Sequence, residues 1–297
     1  MTVVLITGAA GPAGAALGAQ LDRARADRPG LVFTGADLLE LDDPRYDAAV
    51  TVPRADAPEY APAMRRLVAE HGVDLIVTTV QDELVALAGI GKTIGCRVAI
   101  SAAGPVALSA DKLITMWALA DAGVAVPGHG SPADFAGAEA AMAALGGPVV
   151  VKPRVSRGGR GVRLIESASD LDWSTLDAAD VVQSFAPGTE YCPQVYRRGD
   201  DVMVVVLEKT ALKEGRVGNA VSTVRRKAGE VADVEALARD AVLALGLTGA
   251  VDLDIRREAS GRPVVLEINA RFGANSAAAP ELLDRTLAAE LSGTTTR

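Results

Sequence analysis

Along the first hundred residues, short β-branched runs alternate with alanine-rich stretches whose apolar positions recur at helical spacing. Val3-Val4-Leu5-Ile6, Val32-Phe33, Leu75-Ile76-Val77 and Val98-Ala99-Ile100 read as strands, with helices from about Gly14, near Pro58–His71 and near Gln81–Lys92. Strands alternating with helices of this length imply right-handed βαβ units on a parallel sheet. The second of these helices ends with His71 in its last turn and Gly72 just beyond, a regular stop. A further helix is expected from Ser109, as N-cap, to Ala122, closed by Gly123. Another spans Asp134 to Leu145 after the punctuation of Gly128 to Pro132.

From Val149 the pattern changes to hairpins. Val149-Val150-Val151 and Val162-Arg163-Leu164-Ile165 flank Ser156-Arg157-Gly158-Gly159-Arg160-Gly161, which reads as a flexible hairpin loop. Strands follow at Val181-Val182 and Val202–Leu207, then a helix from Asp233 to Leu245. A final pair, Ala250–Arg256 and Val264–Asn269, turns at Ser260-Gly261. No repeat of fixed period and no low-complexity linker interrupts the chain, so its halves are expected to join compactly.

Composition narrows the class. The 297 residues carry 38 acidic against 30 basic side chains, a formal net charge of -8, which argues against a nucleic-acid partner held by a broad basic field. No apolar run approaches the ~18–20 residues of a membrane helix, and the N-terminus enters its first strand without the basic lead of a signal peptide. Cys96 and Cys192 lack metal-site spacing, so a cytoplasmic compartment is expected. Lysine is scarce, standing only at 92, 112, 152, 209, 213 and 227, so each one raises the question of why arginine would not serve.

Two stretches carry candidate chemistry. Gly8-Ala9-Ala10-Gly11-Pro12-Ala13-Gly14 follows a strand and opens a helix, and Asp37 ends the second strand. That arrangement admits an NAD(P)-dependent oxidoreductase or epimerase akin to the short-chain dehydrogenases. Tight-turn packing accounts for the same glycines, and no tyrosine among 46, 60, 191 and 196 has the lysine four residues on that such enzymes use. The last hairpin says more. Asp252 and Asp254 share one strand face, as do Glu267 and Asn269 on its neighbour, and the turn brings them together. Leu253, Ile255, Leu266 and Ile268 are expected on the opposite, apolar face. Carboxylates of this kind suit Mg²⁺ completed by water and substrate phosphates. Arg271 follows where it can meet a phosphate, and Lys152 ends a strand ahead of Gly158, Gly159 and Gly161, whose amides can fold over phosphates.

The succession Asp111-Lys112, Val149-Val150-Val151-Lys152-Pro153 with Gly158-Gly159, Gln183-Ser184-Phe185, Pro187-Gly188-Thr189-Glu190-Tyr191, Asp252-Leu253-Asp254 and Glu267-Ile268-Asn269-Ala270-Arg271-Phe272-Gly273 resembles the ATP-grasp superfamily, most of all its carbamoyl-phosphate-synthase-like amino-acid ligases. The resemblance covers essentially the whole chain. It implies an α/β and α+β architecture: a Rossmann-like pre-ATP-grasp domain over 1–107, a small lobe with the glycine-rich loop over 108–182, and a large lobe with the metal site over 183–297. It implies that Lys112 and Lys152 contact ATP phosphates, that Gly158, Gly159 and Gly161 form the closing loop, and that Gln183, Ser184 and Phe185 form the adenine hinge. Glu190 would accept the ribose hydroxyls, Asp254, Glu267 and Asn269 would hold Mg²⁺, and Arg271 would stabilise the transferring phosphoryl group.

The implied activity is an ATP-dependent ligase joining a small carboxylate to an amine, amino acids in the first instance, through an acyl phosphate with release of ADP and phosphate. A homodimer fits this reading. A nucleotide-binding module without catalysis is the alternative of another class, against which the intact metal ligands and Arg271 argue. Two departures stand out. Asn and Gln are frequent in the family where this chain has Asp252 and Asp254, which leaves Asp252 open as a metal ligand. Cys192-Pro193 interrupts a strand that is usually regular, marking an edge or a bulge. For the acid substrate, Arg225 is the leading contact, with Arg226 and Asn275 beside it; Lys209, Lys213, Arg197 and Arg198 are further cations. Trp117 and Met116 are expected in the core, and His71 and His129 outside catalysis.

Overall fold

The computed structural model describes residues 1–213, 216–218 and 220–292; the last five residues of the expected large lobe lie outside the described residues. The first sheet is parallel and contains β1 (Thr2–Thr7), β2 (Leu31–Asp37), β3 (Ala48–Thr51), β4 (Leu75–Val77) and β5 (Arg97–Ala99), in the order β3-β2-β1-β4-β5. Its helices are α1 (Pro12–Gly18), α2 (Leu21–Asp27), α3 (Tyr60–His71) and α4 (Leu84–Ile90). α3 shows why the sequence reads so directly: Tyr60, Met64, Leu67 and Val68 form its buried stripe, and Gly72, at φ 59°, closes it through an amide donated to the Val68 carbonyl. α1 lies so close to the preceding turn that a Cβ on Gly14 would sit 2.2 Å from the Gly8 carbonyl oxygen. Gly14 therefore serves close packing of helix on strand.

Next come α5 (Ala103–Ala110) and α6 (Lys112–Asp121), two helices where one was expected. Ser109 is not the cap: it lies in the last turn of α5, where its hydroxyl donates to the Val106 carbonyl. The cap is Asp111, whose carboxylate accepts the Leu113 and Ile114 amides at 3.0 and 3.2 Å. Arg154 clamps the same carboxylate through Nε and Nη2. The short β6 (His129–Gly130) and α7 (Ala138–Leu145) lead into β7 (Val149–Pro153), β8 (Arg163–Ile165) and β9 (Asp180–Ser184). These strands form an antiparallel sheet in the order β6-β9-β7-β8, with the glycine stretch joining β7 to β8 as the expected hairpin.

The large sheet holds β10 (Glu190–Tyr191), β11 (Gln194–Arg198), β12 (Asp201–Val205), β13 (Leu207–Leu212), β14 (Ala220–Arg225), β15 (Gly249–Arg257) and β16 (Pro263–Asn269). Its order is β12-β11-β15-β10-β13-β14, with β16 on the free side of β15. β10 and β11 are two halves of one strand in a single register against β15, broken at Cys192-Pro193. That break is interior to the sheet, not at an edge: Cys192 donates to the Leu207 carbonyl and Pro193 accepts from Leu253. Proline cannot return a ladder bond, so the chain on the far side switches there from β12 to β13. α8 (Ala232–Ala244) and α9 (Glu281–Leu291) cover the sheet.

Three of the hydrophobic clusters show how the sheets combine. One joins Val4, Ile6, Leu17 and Phe33 of the first sheet to Tyr196, Leu207, Phe272, Leu282 and Leu287 of the last. A second packs Met116 and Leu119 of α6 against α8, β15 and β16. The antiparallel four-stranded sheet has a core of its own around Val149, Val151, Ile165 and Val182. Met116 is core as expected, but Trp117, beside it on the helix, is half exposed.

Candidate active site

A cavity of about 1090 Å³ opens where the three sheets meet. That is at the upper end for a small-molecule site, with room for more than one ligand. Its floor is the β15–β16 hairpin. Asp254 stands opposite Glu267 and Asp252 opposite Asn269, a pairing that the turn alone does not set. Between Asp254 and Ile255 the register slips by one residue, so that Ile255 faces Val265 and Leu266 is left without a partner. The bulge removes Leu266 from the apolar face expected for it. Leu266 lines the cavity instead, and its carbonyl accepts the Lys152 ammonium at 3.1 Å.

The acids do not all point to one ligand. Asp252 is largely buried, and its oxygens are taken by Gln194 Nε2 at 2.5 Å and Arg271 Nη1 at 3.1 Å. Burial pushes its carboxyl up, while Arg271 draws it down. Asp252 therefore holds Arg271 toward the cavity rather than offering an oxygen to a metal. Asp254, Glu267 and Asn269 remain as a set of hard oxygen donors on one cavity wall. Among the described residues no three acids, histidines or cysteines form a metal cage by themselves. The set fits a cation such as Mg²⁺ that takes the rest of its shell from phosphates and water.

Cations surround this set. Lys112, buried at the start of α6, donates to the Ser156 carbonyl at 2.8 Å and lies 3.5 Å from Glu267. Lys152 is buried in the cavity wall, and burial, only partly offset by Glu267, pushes its ammonium down to about 8. Lys209 bridges Glu190 at 2.5 Å and Asp254 at 2.7 Å. Burial lowers its basicity, but Asp254 and Glu190 outweigh that and hold it above the ordinary lysine range. Glu190 has Lys209 on one oxygen and Arg256 3.4 Å from the other, and it does not line the cavity. The structure thus places it behind the wall, away from the open space expected for a ribose.

Gln183 and Ser184 end β9 on the cavity with Phe185 just beyond, and among the described residues the Gln183 amide nitrogen is buried without a partner. Arg216 and Arg256 stack on the Phe185 ring at 4.6 and 4.9 Å. Gly158, Gly159 and Gly161 line the opposite side, all with positive φ, and Arg157 between them and β7 pairs with Asp82 of the first sheet's connections. Asn275 also reaches the cavity.

Arg225 and Arg226 do not. Arg225 pairs with Glu281 of α9 at 2.7 Å, and Arg226 with Glu208 at 2.6 Å and Glu230 at 3.0 Å. Arg225→Ala is accordingly expected to leave substrate KM unchanged and to cost less than about 1 kcal/mol of stability, as for an exposed pair; steady-state kinetics beside a denaturant titration will show both.

The glycine-rich turn lines the same cavity, and its amides are bonded within the turn and to its neighbours. The Ala9 amide donates to Ala36, Gly11 to Gly8, and Ala10 to Asp37 Oδ2 at 2.9 Å, while Asp37 Oδ1 takes the Leu38 amide. Asp37 is thereby occupied where a dinucleotide would need it free. Sequence reasoning missed Glu83 and Tyr60, which also line the cavity. The available signal was an acid just past the carboxyl end of a parallel strand, which looks like any acid in a first helical turn.

Among known proteins, a family model described as the ATP-grasp domain matches residues 109–275. Uncharacterized protein y4rH of Sinorhizobium fredii (strain NBRC 101917 / NGR234) is 29% identical over 185 residues, 53% of this chain and 35% of that protein, so the chain spans about a third of that relative's length. Solved structures share the fold. The L-amino acid ligase from Bacillus licheniformis aligns over 93% of this chain and 68% of its own at 18% identity and TM-score 0.70. A biotin carboxylase from Campylobacter jejuni aligns over 100% and 72% at 18% identity and TM-score 0.74. N5-carboxyaminoimidazole synthetase from Staphylococcus aureus, complexed with ADP, aligns over 93% and 71% at 19% identity and TM-score 0.71.

Proposed function

Because the chain belongs to the ATP-grasp family, we propose that it is an ATP-dependent carboxylate–amine ligase that forms an amide bond and releases ADP and phosphate. The observation that carries this reading is the convergence on one cavity of Lys152, Asp254, Glu267, Asn269 and Arg271 beneath a glycine loop. Among the described residues, no other arrangement suits a triphosphate and its cation together.

In this reading the end of β9 receives the adenine, and the orphaned Gln183 amide N–H supports it by offering a donor to a ring nitrogen. Lys152 supplies a point charge to the phosphates, with Lys112 behind it fixing Ser156 at the root of the loop. Asp254, Glu267 and Asn269 would hold Mg²⁺, which neutralises charge on the phosphates. Arg271, fixed by Asp252, faces the phosphoryl group in transfer, and the loop's glycines exclude water over it. The substrate carboxylate attacks the γ-phosphorus to give an acyl phosphate and ADP; an amine then displaces phosphate from the acyl carbon. Glu190 takes a supporting role, keeping Lys209 beside Asp254. The limits 1–107, 108–182 and 183–297 are our assignment of the three units, with amino acids as the first substrates to try.

The deciding measurement is ADP release with Mg²⁺-ATP across pairs of the proteinogenic L-amino acids and small carboxylates, run beside a nicotinamide absorbance assay. Pair-dependent ADP release is expected; nicotinamide turnover without ATP would reverse the reading. A pH effect follows from Lys152. Its folded pKa, about 8, lies below the unfolded lysine value of 10.5, so between those values the unfolded chain binds more protons and stability rises with pH. Phosphate binding needs the charged form, so ATP affinity is expected to fall by up to about tenfold per pH unit above 8, with proton uptake on binding. Calorimetry in buffers of different ionisation enthalpy will detect that proton, and Lys152→Met will lose it.

A further inference from the structure

The cavity wall also holds a carboxylate for which the ligase reading has given no task. The chain leaves β1 toward β2 on one side of the sheet and later leaves β4 toward β5 on the other, so the gap between β1 and β4 is a topological switch point. Beyond the carboxyl ends of strands at such a point, the departing connections splay and leave a crevice for a ligand. Thr7 ends β1, and Glu83 rises from the 3-10 turn Gln81–Glu83 shortly after β4. Glu83 is 4% exposed and forms part of the cavity wall.

Among the described residues, the surroundings of Glu83 contain donors but no counter-charge. The Thr7 hydroxyl donates to Oε1 and the Tyr60 phenol to Oε2 at 2.9 Å. Burial pushes its carboxyl up to about 7 against those two hydrogen bonds and one from the Val80 amide, and the charged neighbour that acts on it is another acid, Asp37. A buried carboxylate is costly without a cation, and one set in a cavity wall can obtain that cation from a ligand. A primary ammonium has the right sign and three N–H donors for the lone pairs that Thr7 and Tyr60 leave free. The reacting end of the nucleotide is near. Arg157 of the glycine loop is ion-paired with Asp82, the residue before Glu83, so the loop assigned to the phosphates closes directly beside this acid.

We propose that the switch-point crevice seats the acceptor amine, with Glu83 receiving its ammonium and acting as the base that frees it for attack. This rests on the ligase reading. One proton of the ammonium passes to the Glu83 carboxylate, and the nitrogen lone pair forms the C–N bond at the acyl carbon. The C–O bond to phosphorus's oxygen breaks, and phosphate leaves with that electron pair, taking up the second nitrogen-bound proton. Glu83 then returns its proton to solvent. Tyr60 and Thr7 are positioning residues that keep the carboxylate facing the crevice.

The test separates the two half-reactions. Hydroxylamine, small and uncharged at neutral pH, traps an acyl phosphate as a hydroxamate without needing an ammonium site. For an L-amino acid pair that the wild-type protein joins, Glu83→Gln is expected to form hydroxamate from the acid within about threefold of the wild-type rate, while amide formation falls by about 100-fold or more and KM for the amine rises. Glu83→Asp, which keeps the charge on a shorter stem, is expected to show a smaller fall in the ratio of amide to hydroxamate, and decides the matter should Glu83→Gln fail to fold. An unchanged ratio in both variants overturns the role of Glu83 and leaves the ligase reading standing. Equal loss of both products in a folded variant makes Glu83 a structural acid and also overturns it. If the wild-type protein yields neither ADP nor hydroxamate with any acid, the ligase reading falls and this proposal falls with it.

Discussion

Glu267→Gln is expected to abolish ADP formation in a protein that folds as the wild type does. Glu267 stands opposite Asp254 on the cavity floor, two residues from Asn269 on the same face, and Lys112 lies 3.5 Å away. The substitution keeps the volume of the side chain and removes its charge. Lys112 keeps its bonds to Ser156 but loses its ion pair with Glu267, so some stability is lost while the fold is kept. What is lost is one of the carboxylates proposed to hold the cation. If that ligand contributes several kcal/mol to transition-state charge stabilisation, as metal clamps do, turnover falls by about three orders of magnitude at 1.36 kcal/mol per decade. A coupled ADP assay beside a denaturant titration measures both quantities. Near-native turnover would remove Glu267 from the metal site, and with it the main reason for placing the triphosphate there.

The second large effect concerns stability. Lys209 carries one positive charge between Glu190 and Asp254, with its side chain almost wholly buried. Lys209→Met fills a similar space and leaves those acids facing each other, with only Arg256 near Glu190. Removing one partner of a buried ionic set typically costs about 3–5 kcal/mol. At roughly 2–4 °C per kcal/mol, the melting temperature should drop by about 10 °C. Adding Glu190→Gln removes one of the stranded charges and should recover part of the loss, a coupling of about 0.5–3 kcal/mol in a double-mutant cycle. A melting temperature unchanged in Lys209→Met would show that water, not this lysine, compensates the two acids.

The alternation of β-branched runs with helical stretches was enough to read the parallel sheet, because each element satisfies its own periodicity. The last hairpin was legible in part for the same reason: two acids two apart on a strand must share a face, although a one-residue bulge, not the turn, set their partners. What sequence could not supply was which polar group each acid would meet. Asp252 and Asp254 look equivalent along the chain, yet Gln194 lies opposite Asp252 through a register that only the assembled sheet creates. Leu266 left the apolar face through a one-residue bulge that alternation cannot signal. Arg225 was drawn from the cleft by Glu281, more than fifty residues away and on another element. Ser109 and Asp111 compete as caps on equal local terms, and Arg154, forty-three residues on, reinforces the one that won. Apart from the bulge, each of these differences is a long-range pairing, invisible to any window of sequence.

The cluster that unites β1, β2 and α1 with β11, β13 and α9 also sets an order of events during synthesis. A ribosome releases the first parallel strands early, yet the apolar surface of Val4, Ile6, Leu17 and Phe33 acquires its full cover only when Leu282 and Leu287 have emerged. Contacts at such sequence separation are slow to form, since the closure of a very long loop comes before any gain from burial. For most of its translation the nascent chain therefore displays a half-covered, strand-rich face, the kind of surface on which chaperones act and from which aggregates begin.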